Sequence, residues 1–217
     1  MGNKIGVKDT EQEKICYVVG AGDFTGAELL TPGPGDCVIA ADGGLTALCS
    51  LNLRPDLLLG DFDSFTGDLP EGIIRETFPA EKNYTDMMLA VERGMETGYR
   101  TFYLFGGTGG RMDHTVANMQ ILVYLSRRGC RGYLIGDGYV MTAVTNGALR
   151  FTADCKGYLS VYACSDVAKG VNESGLKYGL EDFDLAIDDP RAISNEFCGE
   201  ESTVSVENGT VAVLWYL

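Results

Sequence analysis

The sequence predicts two architectures in succession: an α/β N-terminal domain with a mostly parallel sheet over residues 1–137, then an all-β C-terminal domain, sandwich-like or a small barrel, over residues 138–217. Three observations carry this. Short apolar runs alternate with segments of helical period through the first ~135 residues, the rhythm of successive βαβ units. From about Tyr139 the helical period disappears and strand-like segments follow. Gly136-Asp137-Gly138 supplies turn-forming residues where the rhythm changes.

In chain order, the predicted strands of the first domain are Ile15–Val19, Cys37–Ala41, Leu57–Leu59, Thr101–Phe105 and Gly132–Ile135. Each is a short, nearly continuous apolar run, as expected for strands buried on both faces of a parallel sheet. Helices are predicted near Leu45–Leu51, Asp86–Thr97 and His114–Arg128. Thr85 is placed to cap the second, with Asp86 in the first turn where the helix dipole favours an acid. Gly98 and Gly129 stand where helices stop. In the second domain Tyr158–Ala163 is a predicted strand. Thr203–Trp215 is a predicted hairpin turning at Asn208-Gly209, which suits positive φ angles.

Composition narrows the function. The chain is 45% hydrophobic and 22% charged, which is globular composition. No apolar run approaches the ~20 residues of a membrane span, and Met1–Asp9 lacks the apolar core of a secretory signal. Seven cysteines are scattered without a CxxC pair, and His114 is the one histidine, which argues against structural zinc and for a reducing cytoplasm. A formal net charge of −14 disfavours nucleic acid as a partner, whereas a single nucleotide with a metal ion stays compatible.

Four clusters carry chemistry, three of them at the ends of the predicted strands above and the fourth, Lys82–Asp86, after Thr77-Phe78-Pro79. Gly60-Asp61-Phe62-Asp63-Ser64 places two acids beside a glycine, suited to magnesium with substrate phosphates; an acidic turn capped by Asp63 and Ser64 is the plainer alternative. Asp42-Gly43-Gly44 either leaves helix-start amides for an anion or forms a tight βα turn with Asp42 as N-cap. Gly106-Gly107-Thr108-Gly109-Gly110-Arg111 has four glycines in five residues and a cation, a phosphate cradle or a solvated loop. It is neither a Walker A loop nor a GxGxxG fingerprint. His114 beyond it is read as a helix-start hydrogen-bonding residue. Lys82-Asn83-Tyr84-Thr85-Asp86 groups a cation, a hydroxyl and an acid. There Asp86 completes a carboxylate set with Asp61 and Asp63, or serves the helix dipole alone.

Taken together and in order, these elements resemble the bacterial thiamine pyrophosphokinase family. The resemblance runs through Ala41–Gly44, Gly60–Ser64, Lys82–Asp86, Gly109–His114 with Asn118, Gly175–Leu180 and Ile193–Glu196. It implies transfer of pyrophosphate from ATP to the thiamine hydroxyl by a homodimer with active sites at the subunit interface. Catalytic roles are implied for Asp61, Asp63, Asp86 and Lys82, the three acids holding Mg2+. Nucleotide and phosphates are implied for Asp42, Gly43, Gly44, Thr85, Gly109, Gly110 and Arg111, with Asp113, His114 and Asn118 alongside. Ser194 and Asn195 are implied to contact thiamine. A flat cation also suits an aromatic wall, for which Tyr178 and Trp215 qualify by type, as they do for core or interface packing. Two departures stand out: Asn83 replaces an acid of the family's Lys-Asp-x-Thr-Asp pattern, and Met88 stands where an acid is frequent. They motivate one alternative, a pyrophosphotransferase with another heterocyclic alcohol as acceptor; a non-catalytic sensor of thiamine diphosphate or nucleotide is the other alternative.

Overall fold

The structure, a computed structural model, describes residues 5–8, 13–60, 71–77 and 84–217. The chain divides into two compact units. An α/β unit comprises residues 13–121 and 132–137; a strand-rich unit comprises residues 138–217 together with 1–12 and 122–131.

The α/β unit contains β1 (Ile15–Val19), β2 (Cys37–Ala41), α1 (Gly44–Ser50), β3 (Leu57–Leu59), β4 (Ile74–Glu76), α2 (Asp86–Glu96), β5 (Thr101–Phe105), most of α3 (Met112–Ser126) and β6 (Arg131–Ile135). Sheet order is β4-β3-β2-β1-β5-β6. The pairs β1–β2, β1–β5, β2–β3 and β3–β4 are all parallel. The chain therefore runs outward from β1 to β4, then returns to lay β5 on the other side of β1. That reversal is the switch point at which open α/β sheets bind ligands. The strands are apolar because both faces are covered: Val18, Val19, Ala40, Leu58, Leu59, Phe102 and Phe105 are all buried.

Thr85 caps α2 as expected, its Oγ1 accepting from the Met88 N–H at 3.2 Å. Met87, Ala90, Val91 and Gly94 form its buried face at helical spacing. Gly94 sits mid-helix because a Cβ there would meet the Phe102 ring at 2.6 Å. Gly98 and Gly129 terminate α2 and α3 at φ 97° and 69°. β4 has no counterpart among the predicted strands; it is an edge strand whose Ile74 is exposed and whose Glu76 pairs with Arg93 of α2 at 2.8 Å.

The strand-rich unit contains β7 (Tyr139–Phe151), β8 (Tyr158–Ala163), β9 (Val167–Ser174), β10 (Leu180–Ala186), β11 (Asn195–Glu196) and β12 (Ser202–Tyr216). The predicted hairpin at Asn208-Gly209 is instead one long strand. Both halves of β12 pair with β7: Val206 with Gly147 and Thr210 with Thr145, so Glu207–Gly209 face the single residue Asn146. The positive φ of Gly209 serves a bulge here, with its N–H donating to Asn146 Oδ1 at 2.8 Å. The bulge lets one strand serve two arms. Before it β12 pairs with β9, and after it with β8. Trp215 belongs to the core, 1% exposed, its indole N–H donating to the Ile5 carbonyl at 2.9 Å. It is not an aromatic wall for a ligand.

Candidate active site

A cavity of about 410 Å³ opens at the switch point of the α/β unit. Its walls are the segments that follow β1 (Gly20–Asp23), β2 (Asp42) and β5 (Gly106–Arg111), with the start of α2 (Thr85–Met87) and His114 and Asn118 of α3. The register of the sheet brings these ends together, since Val19 lies beside both Ala40 and Phe105.

Two glycine segments are stitched into one wall. The N–H groups of Gly20, Gly22 and Asp23 donate to the carbonyls of Phe105, Gly106 and Thr108 at 2.8, 2.8 and 3.0 Å. The approach leaves no room for side chains: a Cβ on Gly22 would lie 2.7 Å from the carbonyl oxygens of both Gly106 and Thr108. Gly20-Ala21-Gly22, which matches no nucleotide fingerprint, is required by this contact. From α3, the buried Asn118 donates its side-chain N–H to the Gly107 carbonyl at 2.6 Å. The glycines are thus a fixed backbone surface able to face an anion.

The structure brings together Asp42, Thr85, Asp86, Gly109, Gly110, Arg111, His114 and Asn118 on this one cavity. Asp61, Asp63 and Lys82 lie outside the described residues, as does Asn83. Asp42 adopts φ 49° with its N–H on the Leu59 carbonyl at 2.8 Å, so it sits where β3 ends. It does not cap α1: that position belongs to Gly43, and α1 is a seven-residue helix. Gly44 packs on β1, where a Cβ would lie 1.9 Å from the Val19 carbonyl oxygen. Asp113, in the first turn of α3, grips Arg111 through two hydrogen bonds of 2.5 and 3.1 Å. The guanidinium holds the Asp113 carboxyl below the usual carboxylate range, and both side chains are exposed.

Asp23 also lines the cavity, and sequence reasoning missed it. Its carboxylate lies against Gly109, where a Cβ would sit 2.0 Å from Oδ2. The signal was its place four residues after β1, on the strand that the order reverses around. Among the described residues, no group of three or more His, Cys, Asp or Glu side chains is gathered as for a metal ion. No helix among them is long and apolar enough to cross a membrane.

Comparison with known proteins decides the family. Residues 34–134 match the family described as thiamin pyrophosphokinase, catalytic domain, and residues 148–211 match thiamin pyrophosphokinase, vitamin B1 binding domain. The chain belongs to the thiamin pyrophosphokinase family. It is 28% identical over 182 residues to the thiamine pyrophosphokinase of Bacillus subtilis strain 168, covering 81% of this chain and 85% of that protein. The crystal structure of thiamine pyrophosphokinase from Bacillus subtilis superposes with a TM-score of 0.84 at 24% identity, covering 94% of this chain and 99% of that one. That of the Geobacillus thermodenitrificans thiamin pyrophosphokinase gives 0.81 at 26% identity, over 94% and 97%.

The second family match lies within the strand-rich unit, where Ser194 and Asn195 precede and open β11. Ser194 is exposed in the left-handed region at φ 58°, its N–H donating to Ser160 Oγ at 3.0 Å. Asn195 is 4% exposed. Its Oδ1 accepts from the N–H groups of Tyr178 and Glu196, at 3.0 and 2.9 Å. Its Nδ2 donates to Glu173 Oε2 and the Tyr178 carbonyl, both at 2.6 Å. The Tyr178 ring is exposed, with the Lys177 ammonium 5.4 Å from its centroid and paired to Glu196 at 2.7 Å. Below them Glu173 is 3% exposed, and burial pushes its carboxyl above the usual range while the Asn195 hydrogen bond pulls the other way.

Proposed function

We propose that this thiamin pyrophosphokinase family member transfers the β,γ-diphosphoryl group of ATP to the primary hydroxyl of thiamine, releasing AMP and thiamine diphosphate. The observation that carries the nucleotide half is the switch-point cavity: glycine backbone on one wall, Arg111 at its mouth, and α2 beginning in it with Asp86 in its first turn. The hydroxyl oxygen attacks the β-phosphorus in line, the bond from that phosphorus to the α,β-bridging oxygen breaks, and AMP leaves with that oxygen. The hydroxyl proton passes to a carboxylate or water. Such a transfer asks the protein for positioning and charge neutralisation more than for covalent participation. Thr85, the glycine segments and Arg111 would hold the phosphates, joined by Lys82. The strand-rich unit would hold thiamine at the face bearing Tyr178 and Ser194.

The charge of the cavity supports magnesium. Its described lining sets the carboxylates of Asp23, Asp42 and Asp86 against the single guanidinium of Arg111. A triphosphate entering such a surface needs a compensating cation, and carboxylate oxygens are ligands magnesium prefers. Asp86, with Asp61 and Asp63, would hold the ion, which when bound withdraws charge from the phosphate oxygens. The seven free thiols suit a reducing cytoplasm, and we read the working form as a homodimer.

The test is purified protein with ATP, magnesium and thiamine, its nucleotide products separated by chromatography. AMP and thiamine diphosphate are expected together. ADP in place of AMP would mean ordinary kinase chemistry, and a preference for isolated pyrimidine or thiazole alcohols would mean another acceptor. Folded protein that binds thiamine diphosphate without turnover would mean a sensor. Asp61→Asn and Asp63→Asn should each lose magnesium-dependent turnover with the fold intact; full activity in both refutes the metal role.

A further inference from the structure

The hydrogen bonds of Asn195 leave its amide nothing to offer a ligand. An Asn side chain has two acceptor lone pairs and two N–H donors, and here all four are engaged within the protein. Two of them take both backbone groups of Tyr178, so the amide clamps the backbone of the residue whose ring stands exposed on the proposed thiamine face. Reversing the amide would set its donors against the Tyr178 and Glu196 N–H groups. What holds the donor end from the other side is Glu173 Oε2, at 2.6 Å.

Glu173 itself is an unusual choice for this position. It lies on β9, its Cα paired with Val204 of β12, and Val204 is fully buried. Its Oε1 is buried without a hydrogen-bond partner among the described residues. Stability alone favours an apolar residue there, because a desolvated carboxylate is expensive and a well-packed hydrophobe is not. We propose that Glu173 is a positioning residue for thiamine recognition: its carboxylate fixes the Asn195 amide, the amide fixes the Tyr178 backbone, and the Tyr178 ring and the left-handed Ser194 are thereby set to receive a flat cationic heteroaromatic. Asn195 acts through Tyr178 and does not touch the vitamin with its side chain. This rests on the reading above that this face of the strand-rich unit holds thiamine.

The experiment is steady-state kinetics of Glu173→Met, Glu173→Asp and Glu173→Gln, each checked for folding by thermal unfolding. Losing a buried hydrogen bond to a carboxylate should raise the KM for thiamine about tenfold in Glu173→Met, with kcat and the KM for ATP within about twofold of the parent. Glu173→Asp keeps the charge but withdraws the acceptor, so it should behave like Glu173→Met and stands in if that variant does not fold. Glu173→Gln keeps a carbonyl acceptor and should return to within about threefold. An unchanged thiamine KM in the Met and Asp variants overturns the proposal, as does a parallel change in kcat and both KM values, the mark of a purely structural role. Tyr178→Ala separates the two layers. If it leaves the thiamine KM unmoved, the thiamine face itself is wrong; if it raises that KM and Glu173→Met does not, only the positioning role falls.

Discussion

Replacing Gly106 with alanine tests whether the cavity wall is as tight as the stitched glycine segments require. Gly106 has φ 59°, where an L side chain brings its Cβ against the carbonyl, at about 1–2 kcal/mol. The same Cβ would lie 2.3 Å from the Gly20 carbonyl oxygen, a backbone atom that can yield only by moving β1's continuation. Overpacking of that kind adds about 1–3 kcal/mol, so Gly106→Ala should lose about 2–5 kcal/mol in all. Gly110 is the control: φ is 55°, yet nothing lies within 4 Å of its virtual Cβ. Gly110→Ala should lose only the conformational part, about 1–2 kcal/mol. Urea denaturation followed by the helical circular-dichroism signal reads both. Fluorescence would not, because the single tryptophan is Trp215, in the strand-rich unit. Equal midpoints for the two variants would refute the argument that backbone contact between the segments, and not turn geometry alone, dictates glycine at position 106.

Three further outcomes are expected. Asn118→Ala strands the Gly107 carbonyl that its side chain now serves at 2.6 Å; it should lower stability by about 1–3 kcal/mol and raise the KM for ATP, measured by ATP titration, without moving that for thiamine. Asp113→Asn releases Arg111 from an exposed pair that water already screens, so the KM for ATP should fall a few-fold at low salt and converge with the parent at high salt; an effect independent of salt would deny Arg111 a phosphate role. Burial raises the Glu173 pKa above its ordinary 4.5, so the folded state holds that proton to higher pH than the unfolded chain. Stability from this group is therefore present below 4.5 and lost as pH rises through the folded value; relative to Glu173→Gln, the parent's melting temperature should decline across that window, and parallel profiles would contradict the shift.

What the sequence made legible follows from where burial is two-sided. The five predicted strands of the α/β unit emerge at Ile15–Val19, Cys37–Ala41, Leu57–Leu59, Thr101–Phe105 and Arg131–Ile135, because strands covered on both faces must be apolar throughout. β4 and β10 were invisible for the converse reason. Each lies at a sheet edge, and β10 carries Glu181, Asp182 and Asp184, which suit an edge exposed to water and hide it from an apolar pattern. The Asn208-Gly209 error has a different origin. That dipeptide reports a local φ preference, and both a hairpin turn and a bulge satisfy it; only pairing with β7 on both sides, a non-local fact, separates them. Site residues divide along the same line. Asp42 and the Gly106–Arg111 segment could be placed on one edge because each follows a recognisable strand, and Asp86 could be read as the first-turn acid of α2 beside its Thr85 cap. The contacts of Asp23 with Gly109 and of Glu173 with Asn195 join residues 86 and 22 positions apart along the chain, so only the place of Asp23 after β1 was readable locally.

The two proposed substrates are opposite in charge, and the two regions proposed to hold them are built oppositely. A chain of formal charge −14 cannot hold a triphosphate by a general positive field. Among its described residues, the proposed ATP cavity of the α/β unit instead offers rigid glycine backbone, the Arg111 guanidinium already paired with Asp113, and carboxylates that would attract a divalent cation. Affinity for ATP should then depend steeply on free magnesium and only weakly on any single basic side chain. The strand-rich unit has no such need for an ion. On the proposed reading it would meet a flat cation with an exposed aromatic ring, and the buried carboxylate of Glu173 would hold that ring's backbone still through Asn195. On this proposal the protein's negative charge is, in the first case, an obstacle that a metal ion would overcome. In the second it assists attraction, so recognition there rests on shape, and shape is what the Glu173-Asn195-Tyr178 chain of hydrogen bonds maintains.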